Sequence, residues 1–226
     1  IAEQFKHECL YLTTEMTHEQ IVTRVLPIAS EVPAWKFRRR KFEEADYAKI
    51  SQACAERLSS LPVSVFGKTT LAISDIRNAL AKTRARVIFV DYLQRCVFSQ
   101  ADTRAYQVMD FMKDLKTLAQ ETRTNIFIGC QLNRCLDNDP DREPENSDLK
   151  DSGGIEAESD QVILLWKPTP KRLLKDGIEV PHGQYLIRSK VSKNRHGLAW
   201  RNADFLLNGQ LVDIVERDAH GKPDVP

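Results

Sequence analysis

Four short apolar runs punctuate the chain: Leu10-Tyr11-Leu12, Val87-Ile88-Phe89-Val90, Ile126-Phe127-Ile128 and Val162-Ile163-Leu164-Leu165. None alternates with polar residues, and each is rich in β-branched or aromatic side chains. That pattern predicts strands covered on both faces, as in a parallel sheet. Val63-Ser64-Val65-Phe66 is a fifth candidate. Between the runs the apolar period becomes helical. From Thr103 to Glu121, the residues Val108, Phe111, Met112, Leu115, Leu118 and Ala119 fall on one helix face. Thr17-His18-Glu19-Gln20 has the form of a capping box and opens a helix through Ile21, Val22 and Val25. Ser74 is the expected N-cap of a helix through Ile76 and Leu80. Strand and helix alternate, so the expected class is α/β, a mostly parallel sheet with helices on both faces. The tail differs. Gln184 to Lys190 partly alternates, and Asn208-Gly209 stands between Phe205-Leu206-Leu207 and Leu211-Val212, which signals a two-residue hairpin. The sheet should therefore end in a C-terminal antiparallel hairpin extension. Leu136 to Gly154, polar and holding Pro140, Pro144, Gly153 and Gly154, reads as a loop of the length that usually carries function.

At 226 residues, 42% hydrophobic and 29% charged, the chain has the composition of one folded α/β domain spanning residues 1–226, and neither disorder nor a fibrous repeat fits. No apolar run approaches the roughly 18–20 residues of a membrane span, and no signal peptide opens the sequence. The five cysteines are odd in number and form no CxxC pair, which suits buried free thiols and a reducing, cytoplasmic setting. A net charge of +1 leaves no general basic field, so nucleic-acid contact would have to be local. Arg38-Arg39-Arg40-Lys41, flanked by Trp35, Phe37 and Phe42, is the obvious local candidate. Glu43, Glu44 and Asp46 follow at once, so the expectation is a solvated turn with its charge balanced. The five histidines have no metal-ligand spacing and are expected at the surface.

In parallel sheets ligands collect at the carboxyl ends of strands. Three of the apolar runs lead there to polar groups suited to nucleotide chemistry: the first to Thr13-Thr14-Glu15, the second to Asp91, the third to Gln131. An aspartate directly after four apolar residues suits a Walker-B acid holding Mg²⁺ through its water shell. A glutamate nearby could deprotonate an attacking water, and a glutamine could hydrogen-bond a γ-phosphate. The phosphate cradle is harder to find. Gly67-Lys68-Thr69 looks like the end of a GxxxxGK[ST] loop, but the first glycine of that pattern falls on Pro62, so the match fails.

Thr14-Glu15-Met16, Val90-Asp91-Tyr92-Leu93-Gln94, Gln131-Leu132-Asn133-Arg134 and Ser147 to Gly153 stand in an order and spacing that resembles the DnaB-like replicative helicases of bacteria and phages. Lys193-Asn194-Arg195-His196-Gly197 is similar to that family's KxRxG segment, and the resemblance runs from about Leu10 to Val215. It implies a RecA-like motor domain that hydrolyses ATP with Mg²⁺ and moves 5′–3′ along single-stranded DNA as a hexameric ring. Primase and a helicase loader are the implied further partners. On this resemblance Glu15 is the catalytic glutamate, Asp91 the Walker-B acid, and Gln131 the residue coupling phosphate state to the DNA loops. Lys193 and Arg195 would reach a neighbouring subunit's ATP, Arg195 as arginine finger. Lys150, Asp151 and Gly153 would line the DNA channel, with Lys150 and Asp151 standing where the family usually has Arg and Glu. Arg134 and Asp160 are expected to serve structure. The stretch from Trp166 to His182 matches nothing. The family's P-loop lies upstream of the strand carrying Leu10, and the chain opens at Ile1, so the expectation is a domain cut behind its P-loop that binds ATP weakly alone. Two alternatives stay open: a non-catalytic ring or interaction domain of the same fold, and a recombination-type ATPase.

Overall fold

The computed structural model describes residues 2–98, 103–133, 139–150, 152–199, 201–211 and 213–216. The chain divides into two compact units, one of Ile1–Val22, Ala55–Leu132 and Leu149–Ser159, the other of Thr23–Cys54, Asn133–Asp148 and Asp160–Pro226.

The first unit is built on a four-stranded parallel sheet. After a short helix α1 (Ala2–Phe5) come β1 (Cys9–Thr13), β2 (Val63–Gly67), β3 (Val87–Asp91) and β4 (Asn125–Ile128), arranged in space as β2-β1-β3-β4. Parallel neighbours need crossovers, and the helices supply them. The helix that follows β1, α2 (His18–Ser30), opens on the expected capping box: the Thr17 N–H donates to Gln20 Oε1 at 2.9 Å and the Gln20 N–H to Thr17 Oγ1 at 3.3 Å. Between β3 and β4 runs α6 (Arg104–Thr122), capped by Thr103 and burying Val108, Phe111, Met112, Leu115 and Leu118, the face its periodicity predicts. The helix between β2 and β3, α5 (Ile73–Ala81), starts earlier than Ser74 suggests. Ala72 is its N-cap, and the Asp75 carboxylate, three residues on, accepts the Ala72 N–H at 3.0 Å. Leu10, Leu12, Ile88 and Val90 are buried, as expected of central strands. At the sheet edge β4 departs from expectation: Phe127 stacks on Phe89 at 5.1 Å yet stays 46% exposed.

The second unit carries a separate antiparallel meander of β5 (Gln161–Trp166), β6 (Gln184–Asn194), β7 (Arg201–Asn208) and β8 (Asp213–Glu216). The fourth apolar run is therefore not a parallel strand covered on both faces. It is β5, with Val162 and Leu164 buried and Ile163 and Leu165 exposed on the other face. An unbroken apolar run conceals its alternation when both faces carry hydrophobic residues. The hairpin at Asn208-Gly209 is present, but Asn208 pairs with Asp213, so its loop is longer than two residues. Asn208 Oδ1 accepts the Gln210 N–H at 2.9 Å and so stabilises this wider turn. The unit also holds α3 (Ala34–Arg39), α4 (Glu44–Ala53), which continues into a π-helical turn at Cys54–Leu58, and α8 (Pro170–Lys175). The last belongs to the stretch that resembles nothing, and it has a structural role. Buried Arg188 grips Asp204 through Nε at 2.7 Å and Nη2 at 3.0 Å, and Asp176, just after α8, through Nη1 at 2.8 Å. The guanidinium keeps the Asp176 carboxyl below its ordinary range.

The predicted loop from Leu136 to Gly154 is partly helical: a 3₁₀ turn forms at Asn146–Asp148 and α7 (Ser152–Glu158) takes in both glycines. Of the two, only Gly154 needs to be glycine, because a Cβ there would lie 2.6 Å from Cα of Met109 on α6. Cys9 and Cys96 are buried free thiols, and burial raises Cys96 to about 12, but Cys54 is exposed and Cys130 half-buried. Cys135 lies outside the described residues. Among the described residues no helix is long and apolar enough to cross a membrane. Gly154→Ala should cost about 1–3 kcal/mol in urea unfolding, the usual penalty for overpacking, whereas Gly153→Ala, with open space at its Cβ, should cost far less.

Candidate functional site

Parallel register sets the first part of the site. Thr13 at the end of β1 lies beside Asp91 at the end of β3. The chain leaving β1 is then pinned to β3: the Thr14 N–H and hydroxyl both donate to the Asp91 carbonyl, at 2.9 and 3.0 Å. The Thr13 hydroxyl, fully buried, accepts the N–H of Met16 at 3.1 Å and of Glu15 at 3.4 Å. Glu15 is thereby held at the rim with its carboxylate half exposed, 3.7 Å from Arg95. The Asp91 carboxylate accepts the Tyr11 hydroxyl on Oδ2 at 2.6 Å. Its other oxygen lies near the bare Cα of Gly129, where a Cβ would stand 4.0 Å away. A half-buried carboxylate with one oxygen held by a tyrosine hydroxyl suits outer-sphere contact with a hydrated Mg²⁺ through the other. No cluster of three ligating side chains exists among the described residues, so such an ion would depend on waters and phosphates.

Gln131 follows β4, and its neighbours tie it to a distant segment. The Gln131 N–H donates to Gln94 Oε1 at 3.3 Å, and Gln94 Nε2 donates to Cys130 Sγ at 3.0 Å. The Lys150 N–H donates to the Gln131 carbonyl at 3.1 Å, and Leu132 bridges antiparallel to Leu149. The backbones of the predicted phosphate-sensing glutamine and the predicted DNA lysine are thus directly joined. Gly153 is exposed in the first turn of α7. Asp151 and Arg134 lie outside the described residues.

Lys193 and Arg195 belong to the second unit, at the end of β6 and just past it. Arg195 Nη1 is 3.0 Å from Asp160 Oδ1, and the Arg195 N–H donates to the Asp160 carbonyl at 2.8 Å. Asp160 therefore positions the arginine as well as preceding β5. Lys68, in the false P-loop, is held against both Asp75 oxygens at 2.8 Å, and it keeps the Asp75 carboxyl below the ordinary range. The described histidines His7, His18, His182 and His196 are exposed, and His220 lies outside the described residues.

Tyr11, Arg95 and Gln94 have no role in the sequence reading. Tyr11 carries a readable signal, a hydroxyl within a buried strand two residues before the strand end. Arg95 and Gln94 meet Glu15 and Gln131 only through the turn at Leu93–Arg95.

Together, the parallel sheet with acids and a glutamine at its carboxyl ends and the separate antiparallel sheet define a RecA-like ATPase fold. Two solved structures share it at 23% identity. One is of a DnaB-like replicative helicase and its interactions with primase (TM-score 0.80, 94% of this chain and 51% of that one), the other of an isolated ATPase domain (TM-score 0.81, 96% and 76%). The family "DnaB-like helicase C terminal domain" matches residues 1–211, and the chain belongs to it. It is 32% identical over 173 residues to the replicative DNA helicase DnaB of Buchnera aphidicola subsp. Baizongia pistaciae, covering 74% of this chain and 37% of that protein. To the DnaB of Helicobacter pylori strain ATCC 700392 / 26695 it is 31% identical over 159 residues, covering 68% and 32%. The chain thus spans about a third of the length of these relatives. Thr13→Val leaves the Met16 and Glu15 N–H groups without their acceptor. It should lower stability to urea by about 1–3 kcal/mol; an unchanged midpoint would show that the hydroxyl does not hold the rim.

Proposed function

We propose that this chain belongs to the motor of an ATP-dependent replicative DNA helicase, which travels 5′–3′ on single-stranded DNA as a hexameric ring and works with a primase. The observation that carries the reading is the hydrogen bond from the Lys150 N–H to the Gln131 carbonyl. Through it, a side chain placed to feel nucleotide state shares a backbone link with a cation placed to hold a DNA phosphate.

In this reading each residue has a chemical task. ATP supplies the phosphoryl group and Mg²⁺ neutralises part of its charge. Asp91 would hold a hydrated Mg²⁺ through its second carboxylate oxygen, while Tyr11 keeps the carboxylate from rotating away. Glu15 takes the proton of the attacking water, and Arg95 holds the glutamate at the rim. Gln131 hydrogen-bonds the terminal phosphate, and its displacement moves Lys150 through the shared backbone. Lys150 meets the strand as a point charge without a guanidinium's bidentate fork, and Asp151 and Gly153 complete that segment. Lys193 and Arg195 act on the neighbouring subunit's nucleotide. A site divided in this way requires a head-to-tail interface, the kind that closes into rings. Asp160 holds Arg195 in the orientation from which it reaches across.

In the full-length protein, Arg195→Ala should lower DNA-stimulated hydrolysis on the order of 10³-fold and leave nucleotide affinity nearly unchanged; equal loss of both would overturn the finger. Lys150→Ala should weaken oligo(dT) binding and make its salt dependence shallower by about 0.7 in log–log slope, one phosphate contact on a single strand. An unaltered slope would remove Lys150 from the DNA path.

A further inference from the structure

The basic run at the end of α3 is not neutralised in the way its sequence suggests. Two of the three acids that follow it are taken by a different cation. Lys36 Nζ lies 2.7 Å from Asp46 Oδ2 and 3.2 Å from Glu43 Oε1. Asp46 is further committed to the Glu43 N–H at 2.8 Å, closing the N-terminus of α4. That bond, with the Lys36 ammonium, keeps the Asp46 carboxyl below its ordinary range. Arg38, Arg39, Arg40 and Lys41 lie at the surface, and none of the ion pairs among the described residues involves them. Four consecutive cations are therefore exposed at this corner, with Glu44 the one adjacent acid that Lys36 does not hold.

The patch also includes an aromatic surface. Trp35 is 41% exposed, and the Arg39 guanidinium and Lys36 ammonium each sit 5.9 Å from its ring centroid. Beneath it, Phe37 meets Phe42 edge-on at 5.1 Å and Phe42 meets Tyr47 at 5.5 Å, pinning the corner between α3 and α4. The Ala34 N–H donates to the Gln210 carbonyl at 2.7 Å and anchors the start of α3 to the β7–β8 turn. Exposed cations beside an exposed indole suit a chain of phosphates bearing unpaired bases: the phosphates meet the cations, and a base stacks on the ring.

We infer that Trp35, Arg38, Arg39, Arg40 and Lys41 form a second binding surface for single-stranded nucleic acid, made of residues other than those of the Lys150 segment. This surface acts independently of the roles proposed for Lys150 and Arg195.

The test measures anisotropy of labelled oligo(dT) and oligo(U) on the full-length protein across salt concentrations. Lys150→Ala serves as the background that removes the other contact. In that background R39Q/R40Q should weaken residual binding and make the salt slope shallower by about 1.4, two phosphate contacts on a single strand. Trp35→Leu should weaken binding even at high salt, where the charge contribution is screened. Glu44→Gln should tighten binding at low salt, a gain that misfolding cannot produce. Tighter binding of one oligonucleotide would assign DNA or RNA as the natural strand. An unchanged slope in R39Q/R40Q, or no tightening in Glu44→Gln, would overturn the proposal. So would binding to phosphatidylserine vesicles that these substitutions abolish while oligonucleotide binding persists.

Discussion

The arrangement of Glu15 around Asp91 depends on the parallel pairing of β1 with β3. That ladder puts Thr13 next to Asp91, and the Asp91 carbonyl then takes both the N–H and the hydroxyl of Thr14. A carbonyl has two lone pairs, and filling both from one residue leaves that residue little freedom. The next residue is Glu15. Its placement is thus inherited from a backbone contact between strands distant in sequence. Tyr11 reinforces the same pairing from within β1 by donating to the Asp91 carboxylate. Loss of register between these strands would move the aspartate, the glutamate and the tyrosine at once.

Near-neutral overall charge conceals a division of labour among the cations. Arg188 and Lys36 each engage two carboxylates and commit their charge to structure. A guanidinium matches a carboxylate through two parallel N–H groups, which is why Arg188 can join β6, β7 and the residue after α8 as lysine could not. Arg195 is intermediate, half exposed and held by Asp160. A surface pair of this kind is weak, so it orients the arginine without trapping it. Arg38 to Lys41 stay exposed, while Lys36 holds Glu43 and Asp46 from the acidic run that follows them.

Part of the stretch read from sequence as a loop, Leu136 to Gly154, is held by specific contacts in the fold. Within the second unit, its 3₁₀ turn closes on Asp148, which is buried and bonded to Arg142 at 2.6 Å. Within the first, α7 lies against α6 at Gly154, the Lys150 N–H donates to the Gln131 carbonyl, and the Lys150 carbonyl accepts from the Cys130 thiol at 3.8 Å.

Much of this protein was legible in its sequence, and the limits are equally physical. Period and capping chemistry are local, so α2, α6 and the strands β1 and β3 could be read directly, as could the polar residues at the strand ends. The motifs around Glu15, Asp91, Gln131 and Lys150 pointed to the helicase family before any contact was known. Tertiary structure decided what depends on partners distant along the chain. It paired Val162–Leu165 antiparallel and left half of it exposed, widened the turn at Asn208, drew the loop glycines into α7, and gave Glu43 and Asp46 to Lys36 in place of the arginines. An apolar run states that a strand exists but not what lies against its faces, and a charge states its sign but not its partner. Both are settled only when folding brings the rest of the chain beside them.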